Sequence, residues 1–249
     1  MTNKTGGISP DIKARDAASD IPPDKTPAAN NVAATDKTAA GKTPAANTAS
    51  KYTVGVIGGG AAGLMAAGYA AEQGAEVTIF EHRDRLALKL GITGKGRCNV
   101  TNDCDRDAFL QNVPTNPRFL YTALAEFSPS DTMEFFTSLG VELKVERGNR
   151  VFPVSDKASD IVRALKSYAG ACRVVWGEVT RLMLSEDGSE CTGLACICPD
   201  GERKYRFDRV IVATGGVSYQ STGSRGAGYA LARQAGLAVI EPRASLVPL

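Results

Sequence analysis

The sequence predicts an α/β fold built on a parallel β-sheet, with an antiparallel β-meander forming one of its crossovers. Residues 52–81 read as a buried strand, a glycine turn, a helix and a second strand. Asp208–Gly216 read as another buried strand, which ends in a threonine and two glycines. The short strand-like runs before it are separated by glycine, proline and aspartate, which is the turn chemistry of a meander and not of a crossover helix.

The first 50 residues differ in composition from the rest of the chain. They are mostly Ala, Thr, Lys, Asn, Pro and Asp, they repeat KTPAAN at Lys25–Asn30 and Lys42–Asn47, and they contain no aromatic residue. Such a segment buries too little apolar surface to fold, so we expect residues 1–50 to form a disordered low-complexity tail. Residues 51–249 have the size of one domain with a single core.

The composition argues against several function classes. No run of about 20 apolar residues is present, so no membrane span is expected. The 29 basic and 27 acidic residues are interspersed and give no nucleic-acid footprint. The six cysteines form no CxxC pair and His82 is the one histidine, so no zinc site is expected. Without a secretory signal we expect reduced thiols and a cytoplasmic location, and the oligomeric state is not indicated.

The turn after the first strand has glycines at GxGxxG spacing, namely Gly58, Gly60 and Gly63. The first permits a tight turn, the second lets a pyrophosphate approach the backbone, and the third lets helix and strand pack closely. A helix begins there, and its free N–H groups near Ala61 and Ala62 form an anion site with the positive end of the helix dipole. The turn therefore predicts phosphate binding.

The second strand closes at Glu81, 18 residues beyond Gly63. A carboxylate at this place accepts hydrogen bonds from both hydroxyls of an adenosine ribose but repels a 2′-phosphate, so FAD or NAD is favoured over NADP. His82 follows and is expected at the adenosine end of the same site. A glycine turn without a ligand is the alternative, and the agreement of strand, helix and terminal acid argues against it.

The middle of the chain, about residues 105–170, is predicted to be a helical scaffold. Between Asn116 and Gly140, Ser128 and Pro129 mark the capped start of a second helix. A third helix is predicted at about Ser155–Tyr168. The first helix is predicted from five residues that share one apolar face: Phe119, Leu120, Ala123, Leu124 and Phe127.

The strand-like runs before Asp208 indicate which dinucleotide is bound. They are Arg173–Trp176, Glu178–Leu184, Cys191–Cys198 and Arg203–Phe207. A parallel sheet crossed by a three-stranded meander and followed by an ATGG turn resembles the FAD domain of the glutathione-reductase-like flavoproteins. The resemblance implies FAD as cofactor, with the backbone of Val179 against the adenine. It also implies closure over the dinucleotide by Ala213, Thr214 and Gly215.

The segment Lys89–Asn102, KLGITGKGRCNVTN, is unusually rich in glycine and polar residues. A loop leaving the second strand can reach the flavin end of a bound FAD, where backbone N–H groups and an arginine stabilise a reduced flavin. We assign that role to Arg97; a solvated loop with Arg97 and Lys95 in water is the alternative. The residues of this segment predicted to contact cofactor are Lys89, Thr93, Gly94, Gly96, Arg97, Cys98 and Asn99.

Four motifs in sequence resemble one bacterial family. They are ITGKGRCNVTN, RVFPVSDKASDIVRAL, ATGGVSYQSTGSRGAGYALARQAG and SLVPL, and the likeness extends over residues 52–249. The family comprises NAD(P)/FAD-dependent oxidoreductases with aminoacetone-oxidase-like and bile-acid-reductase (BaiN-like) members. The chain departs from the family pattern at Gln220, Arg225, Ala227 and Ala244.

The family resemblance implies hydride or electron transfer through FAD to a small-molecule substrate, with NAD(P)H at most a transient reductant because a second GxGxxG unit is absent. In the family, SLVPL leads into a substrate-side domain and then into a segment that returns to the cofactor. The sequence ends at Leu249, so we expect a truncated member. A non-catalytic fragment with weak FAD binding and an NAD-binding module are the alternatives.

Overall fold

A computed structural model describes residues 52–243 of the chain. The predicted tail at residues 1–50, the departure at Ala244 and the SLVPL motif lie outside these residues.

Ten strands and seven α-helices follow one another in the described residues. The strands are β1 (Thr53–Ile57), β2 (Glu76–Glu81), β3 (Thr101–Asn102), β4 (Leu143–Glu146), β5 (Arg150–Pro153), β6 (Arg173–Trp176), β7 (Glu178–Leu184), β8 (Cys191–Cys198), β9 (Gly201–Arg206) and β10 (Arg209–Val212). The helices are α1 (Ala61–Glu72), α2 (Leu88–Gly96), α3 (Arg106–Gln111), α4 (Tyr121–Glu126), α5 (Pro129–Ser138), α6 (Ala158–Tyr168) and α7 (Ala227–Gln234).

The central sheet has four parallel strands in the order β10-β1-β2-β6. β1 and β2 lie in its middle, and their β-branched residues Val56 and Ile79 are buried. Helix α1 packs on this sheet through Leu64 and Ala67, which are also buried. The predicted α/β fold is confirmed, and the run Arg173–Trp176 belongs to this parallel sheet.

Strands β7, β8 and β9 form the predicted antiparallel meander. It connects β6 to β10 without a helix. Phe80 on β2 packs edge-on against Tyr205 and Phe207, with ring centroids 4.9 and 5.8 Å apart. These aromatic contacts fix the meander on the sheet beside the end of β2.

The last strand differs from its prediction. We expected a buried strand within Asp208–Gly216, whereas β10 lies at the edge of the parallel sheet and has β1 as its one neighbouring strand in the described part of the chain. Ile211 is half-buried and Val212 is 43% exposed. Apolar composition alone does not distinguish an edge strand from a central one.

Helices α2 to α6 lie between β2 and β6 in sequence, and α7 follows β10. Helix α5 begins with the predicted capping box, because Asp131 N–H donates to Ser128 Oγ and Ser128 N–H donates to the Asp131 carboxylate. The helix predicted at about Ser155–Tyr168 is α6, which begins at Ala158 and buries Ile161 and Leu165 against the core.

The predicted apolar face at residues 119–127 is wrong. The segment forms a short 3-10 helix, Pro117–Leu120, followed by α4, and Phe119 is 80% exposed. The spacing of apolar residues was that of one continuous helix, but the change of helix type after Leu120 breaks the common face.

Among residues 52–243, no helix has both the length and the apolar character to cross a membrane. The same residues contain no cluster of three or more His, Cys, Asp or Glu side chains placed to hold a metal ion.

Candidate functional site

A cleft of about 520 Å³ lies at the carboxyl ends of β1, β2 and β10. Ligands bind at this edge in open α/β sheets. Twelve of the residues predicted from sequence line it: Gly58, Gly60, Ala61, Ala62, Glu81, His82, Lys89, Thr93, Val179, Ala213, Thr214 and Gly215.

Two of the three glycines in the turn are required by the fold itself. Gly58 has φ +105°, and a Cβ on it would lie 2.5 Å from the carbonyl oxygen of Ala213. A Cβ on Gly63 would lie 1.8 Å from the carbonyl oxygen of Gly58. Gly63 is therefore buried beneath the turn and sets the approach of α1 to it. The contact with Ala213 shows that the GxGxxG turn and the ATGG turn pack directly on each other.

Gly60 is different, because nothing within residues 52–243 accounts for its lack of a side chain. Its φ of −80° and ψ of −169° suit any residue, and a Cβ on it would meet nothing within 4 Å. Gly60 lines the cleft beside the first residues of α1. The open space at Gly60 fits a ligand that approaches the backbone closely.

The amino terminus of α1 points its free backbone N–H groups toward this space. No side chain caps the helix, and its first turn contains no acidic residue. The first N–H with an intrahelical acceptor is that of Leu64, which donates to Gly60 O at 2.9 Å. The amides of Ala61 and Ala62 at the wall of the cleft are thus placed to bind an anion.

Glu81 lies at the end of β2, is 8% exposed and holds two segments of the cleft together. Its Oε2 accepts the N–H of Gly59 at 2.9 Å, and its Oε1 accepts the N–H of Arg83 at 2.9 Å. His82 Nδ1 lies 3.2 Å from Oε1. A carboxylate oxygen can accept a second hydrogen bond, so Glu81 retains capacity for ribose hydroxyls.

The loop between β10 and α7 lines the cleft and packs against His82 and Arg83. Gly223 has φ +103°, and a Cβ on it would lie 2.8 Å from the His82 ring. Lys89 Nζ donates to the carbonyl oxygen of Ser218 at 2.8 Å and so ties α2 to the same loop. Ala213, Thr214 and Gly215 at the start of this loop were predicted site residues. Residues 221–226 were not, although their STGSRG sequence is as rich in glycine as the segment that was chosen.

The meander supplies the wall near Val179. Gly177 and Val179 line the cleft, and Gly177 N–H donates to Glu81 O at 2.8 Å. A Cβ on Gly177 would lie 2.6 Å from Cys196 Sγ, so this wall is closely packed. Burial raises the pKa of the Cys196 thiol to about 12, which keeps it protonated as a small apolar group of the core.

The charges on the cleft are mostly positive. Its ionisable side chains include the two carboxylates of Glu81 and Glu178 and four cations: Arg83, Arg85, Lys89 and Arg225. The four cations outnumber the two carboxylates, and the Glu81 carboxylate already accepts two backbone N–H groups. The cleft therefore attracts anions. Of these four cations, only Lys89 was predicted from sequence to contact the cofactor. The position of a basic residue relative to the cleft depends on the folded chain and not on a local sequence pattern.

The segment from Thr93 to Asn99 has an unusual backbone. Gly94, Lys95, Gly96 and Cys98 all have positive φ, between 56° and 83°, and α2 is kinked at Thr93. The two glycines adopt this conformation without strain, but Lys95 and Cys98 do not. The longer segment Lys89–Asn102 was predicted to be a loop, whereas residues 89–92 are helical and belong to α2.

Arg97 does not line the cleft. Its guanidinium forms ion pairs with Glu146 and with Asp156, at 2.6 Å from Asp156 Oδ1, and stacks on the Phe152 ring at 4.2 Å. Lys144 Nζ lies 2.7 Å from Asp156 Oδ2. We call these four charged residues the Arg97 cluster. Its hydrogen bonds, those of Glu146 first, raise the pKa of Arg97, and those of Arg97 lower the pKa of Glu146. The role of Arg97 at a flavin stays a prediction.

Two other residues of the segment lie beside a smaller cavity. Cys98 and Asn99 line an apolar space of about 180 Å³ together with Phe135 and Ile161. Burial raises the pKa of the Cys98 thiol. The Asn99 amide lies against the carbonyl oxygen of Val151. The predicted residues outside the main cleft are Gly63, Gly94, Gly96, Arg97, Cys98 and Asn99.

Comparison with known proteins gives one family match and several relatives. A family model described as the HI0933-like protein Rossmann domain matches residues 52–245. A protein of Clostridium scindens named 3-dehydro-bile acid delta(4,6)-reductase is 39% identical over 193 residues, which cover 73% of this chain and 43% of that protein. A Haemophilus influenzae protein named ribosomal RNA dihydrouridine synthase is 31% identical over 201 residues, covering 78% and 47%. The chain thus spans less than half the length of either relative.

A similar solved structure is that of 3-ketosteroid-delta4-(5alpha)-dehydrogenase from Rhodococcus jostii RHA1, with a TM-score of 0.54 at 18% identity. The match covers 70% of this chain and 48% of that one, and at this identity it concerns the fold alone. The family model covers all the described residues, from the GxGxxG turn to the segment after α7, and confirms the resemblance carried by GKGRCNVTN. The chain belongs to the HI0933-like Rossmann-domain family.

Proposed function

We propose that the chain binds FAD in the cleft and serves as the FAD-binding domain of an oxidoreductase. The observation that carries this proposal concerns Gly60. Neither its backbone angles nor its packing against the described residues requires a glycine there. The open space beside it lies against the uncapped amino terminus of α1, where a pyrophosphate would be neutralised by backbone N–H groups.

The other walls fit the remaining parts of the cofactor. Glu81 would accept the hydroxyls of the adenosine ribose, and the backbone beside Val179 would contact the adenine. The turn Ala213–Gly215 and the residues Lys89 and Thr93 would then lie along the part of FAD that leads to the flavin. When bound, FAD supplies hydride or electron transfer, and the chain positions it and shields its phosphates.

An NAD-binding module is the second candidate, because Glu81 and the glycine turn suit NAD as well as FAD. The confirmed meander favours FAD, since it replaces the crossover helix of an ordinary NAD domain. NAD(P)H enters the proposal only as a transient reductant of the bound flavin.

We propose a small molecule as the substrate, acted on by hydride or electron transfer. The names of the two relatives point to different substrate classes, a bile acid and ribosomal RNA. Assays of this chain should therefore include an RNA arm beside the small-molecule arm, although its charge pattern favours no nucleic acid.

The test is the colour and the ligand specificity of the purified full chain. We expect flavin absorption bands after purification or after addition of FAD, and weaker binding of NAD⁺ than of FAD in parallel titrations. A colourless protein that takes up NAD⁺ but no FAD would establish the second candidate instead. A chain that binds neither ligand would refute both.

A further inference from the structure

Arg83 has a polar atom that the protein leaves without a partner. Its Nε is buried and donates to no acceptor within residues 52–243. A buried N–H without an acceptor costs free energy, so such groups are rare unless a ligand completes them. Arg83 lines the cleft, which makes a ligand of the cleft the natural acceptor.

The neighbouring carboxylate does not satisfy the guanidinium. Glu81 accepts the backbone N–H of Arg83, while its other contacts are the N–H of Gly59 and the His82 ring. The loop at Gly223 packs on the aliphatic part of Arg83, where a Cβ on Gly223 would lie 3.2 Å from Cγ. The stem of Arg83 is thus held in place, and the residue lines a cleft that also contains Arg85, Lys89 and Arg225.

We propose that Arg83 is a phosphate-binding and specificity-determining residue of the cleft, whose guanidinium donates to a phosphate group of an adenine nucleotide. The planar fork of donors of an arginine matches two phosphate oxygens, and a ribose hydroxyl would not need its charge. The phosphate is the 5′-pyrophosphate, since the Glu81 carboxylate would repel a 2′-phosphate on the adjacent ribose. This inference rests on the proposed function, since it needs a nucleotide in the cleft.

The experiment measures the affinities of FAD, ADP, adenosine 2′-monophosphate and adenosine for the full chain, by titration and by competition. The variants are Arg83→Gln and Arg83→Lys, with Arg163→Gln as the matched control. Arg163 lies on α6, is exposed and pairs with Asp160 away from the cleft. Circular dichroism melting checks that each variant is folded.

We expect Arg83→Gln to weaken binding of FAD and ADP about tenfold and of adenosine less than twofold, with partial recovery in Arg83→Lys and no change in Arg163→Gln. Loss confined to ADP and FAD supports the contact with the 5′-pyrophosphate, and loss confined to adenosine 2′-monophosphate would overturn it. Equal losses for adenosine and ADP, or none at all, would overturn the inference while leaving the proposed function standing. A wild-type chain that binds neither FAD nor ADP would overturn the proposed function and this inference with it.

Discussion

The three glycines of the GxGxxG turn differ in the physical reason for which a glycine is needed. Gly58 needs its positive φ and its close approach to Ala213, and Gly63 needs its contact with Gly58 O. Gly60 has ordinary backbone angles and free space around it. The sequence pattern predicts a role for each glycine. Only the structure shows that Gly60, of the three, is required neither by its backbone angles nor by its packing.

Substituting two of these glycines should separate ligand binding from stability. Gly60→Ala should leave the free energy of unfolding within about 1 kcal/mol, the scale of a changed N-cap residue, while abolishing FAD binding. Gly63→Ala should lower the free energy of unfolding by about 1–3 kcal/mol through overpacking, although alanine is otherwise the better helix former. Urea denaturation and FAD titration of both variants check this. A Gly60→Ala chain that binds FAD normally would contradict the assignment.

Glu81 combines a binding role with a structural one. Glu81→Ala removes the acceptor of two backbone N–H groups, those of Gly59 and Arg83, in a buried place. We expect the free energy of unfolding to fall by about 1–3 kcal/mol even without cofactor, and the affinity for FAD to fall by a similar free energy. Denaturation with and without FAD measures the two effects separately. Glu126→Gln, an exposed carboxylate on α4, is the control and should change neither.

At the scale of elements, the Arg97 cluster joins the kinked end of α2 to β4 and to the segment before α6. Asp156 receives hydrogen bonds from both Lys144 and Arg97. Those bonds, Lys144 first, hold the pKa of Asp156 below its ordinary value of 3.8, and the Arg97 bond does the same for Glu146 relative to 4.5. The cluster thereby holds the strained segment Thr93–Cys98 against β4.

The stability that this cluster contributes should depend on pH. A carboxyl group whose pKa is lower in the folded state stabilises the fold above its unfolded pKa, and the effect is lost as the pH falls through the folded value. Asp156→Asn should therefore lower the melting temperature at pH 7, and its effect should shrink at acid pH below 3.8, as the wild-type carboxyl is protonated through its lowered folded pKa. High salt should reduce the difference at pH 7. If the wild type and Asp156→Asn differ in melting temperature by the same amount at neutral and at acid pH, the contribution of the cluster to stability is not electrostatic.

How well each element was predicted follows from how local its determinants are. The βαβ unit and the capping box at Ser128 depend on residues a few positions apart, and both were found from sequence. The apolar face at residues 119–127 was predicted on the assumption of one continuous α-helix. The exposed Phe119 shows that this assumption is wrong. In the three-stranded sheet of β3, β5 and β4, the strand β3 pairs with residues of β5 about 50 positions further along the chain, and no local pattern predicted that pairing.

At the scale of the whole molecule, the site is assembled from segments far apart in sequence. The GxGxxG turn, the end of β2, the meander and the loop at Gly223 meet in one cleft. Residues with motif signals, such as Gly58 and Glu81, were predicted to be there. Arg83 and Arg225 carry no motif signal, and only the packing of Gly223 on the His82–Arg83 segment reveals that they face the same space.

A ligand that binds only the folded chain must stabilise the whole molecule, which gives the broadest test of the cleft. At a free FAD concentration of 100 times Kd the gain is about 2.7 kcal/mol, or a rise in melting temperature of about 5–10 °C for a domain of this size. Riboflavin lacks the pyrophosphate and the adenosine that the glycine turn and Glu81 are proposed to bind, so it should give almost no rise. Melting curves with FAD, ADP and riboflavin, for the wild type and for Gly60→Ala, measure this. An equal rise with FAD and riboflavin would place the binding energy on the flavin ring, and the cleft at Gly60 would then not be the site.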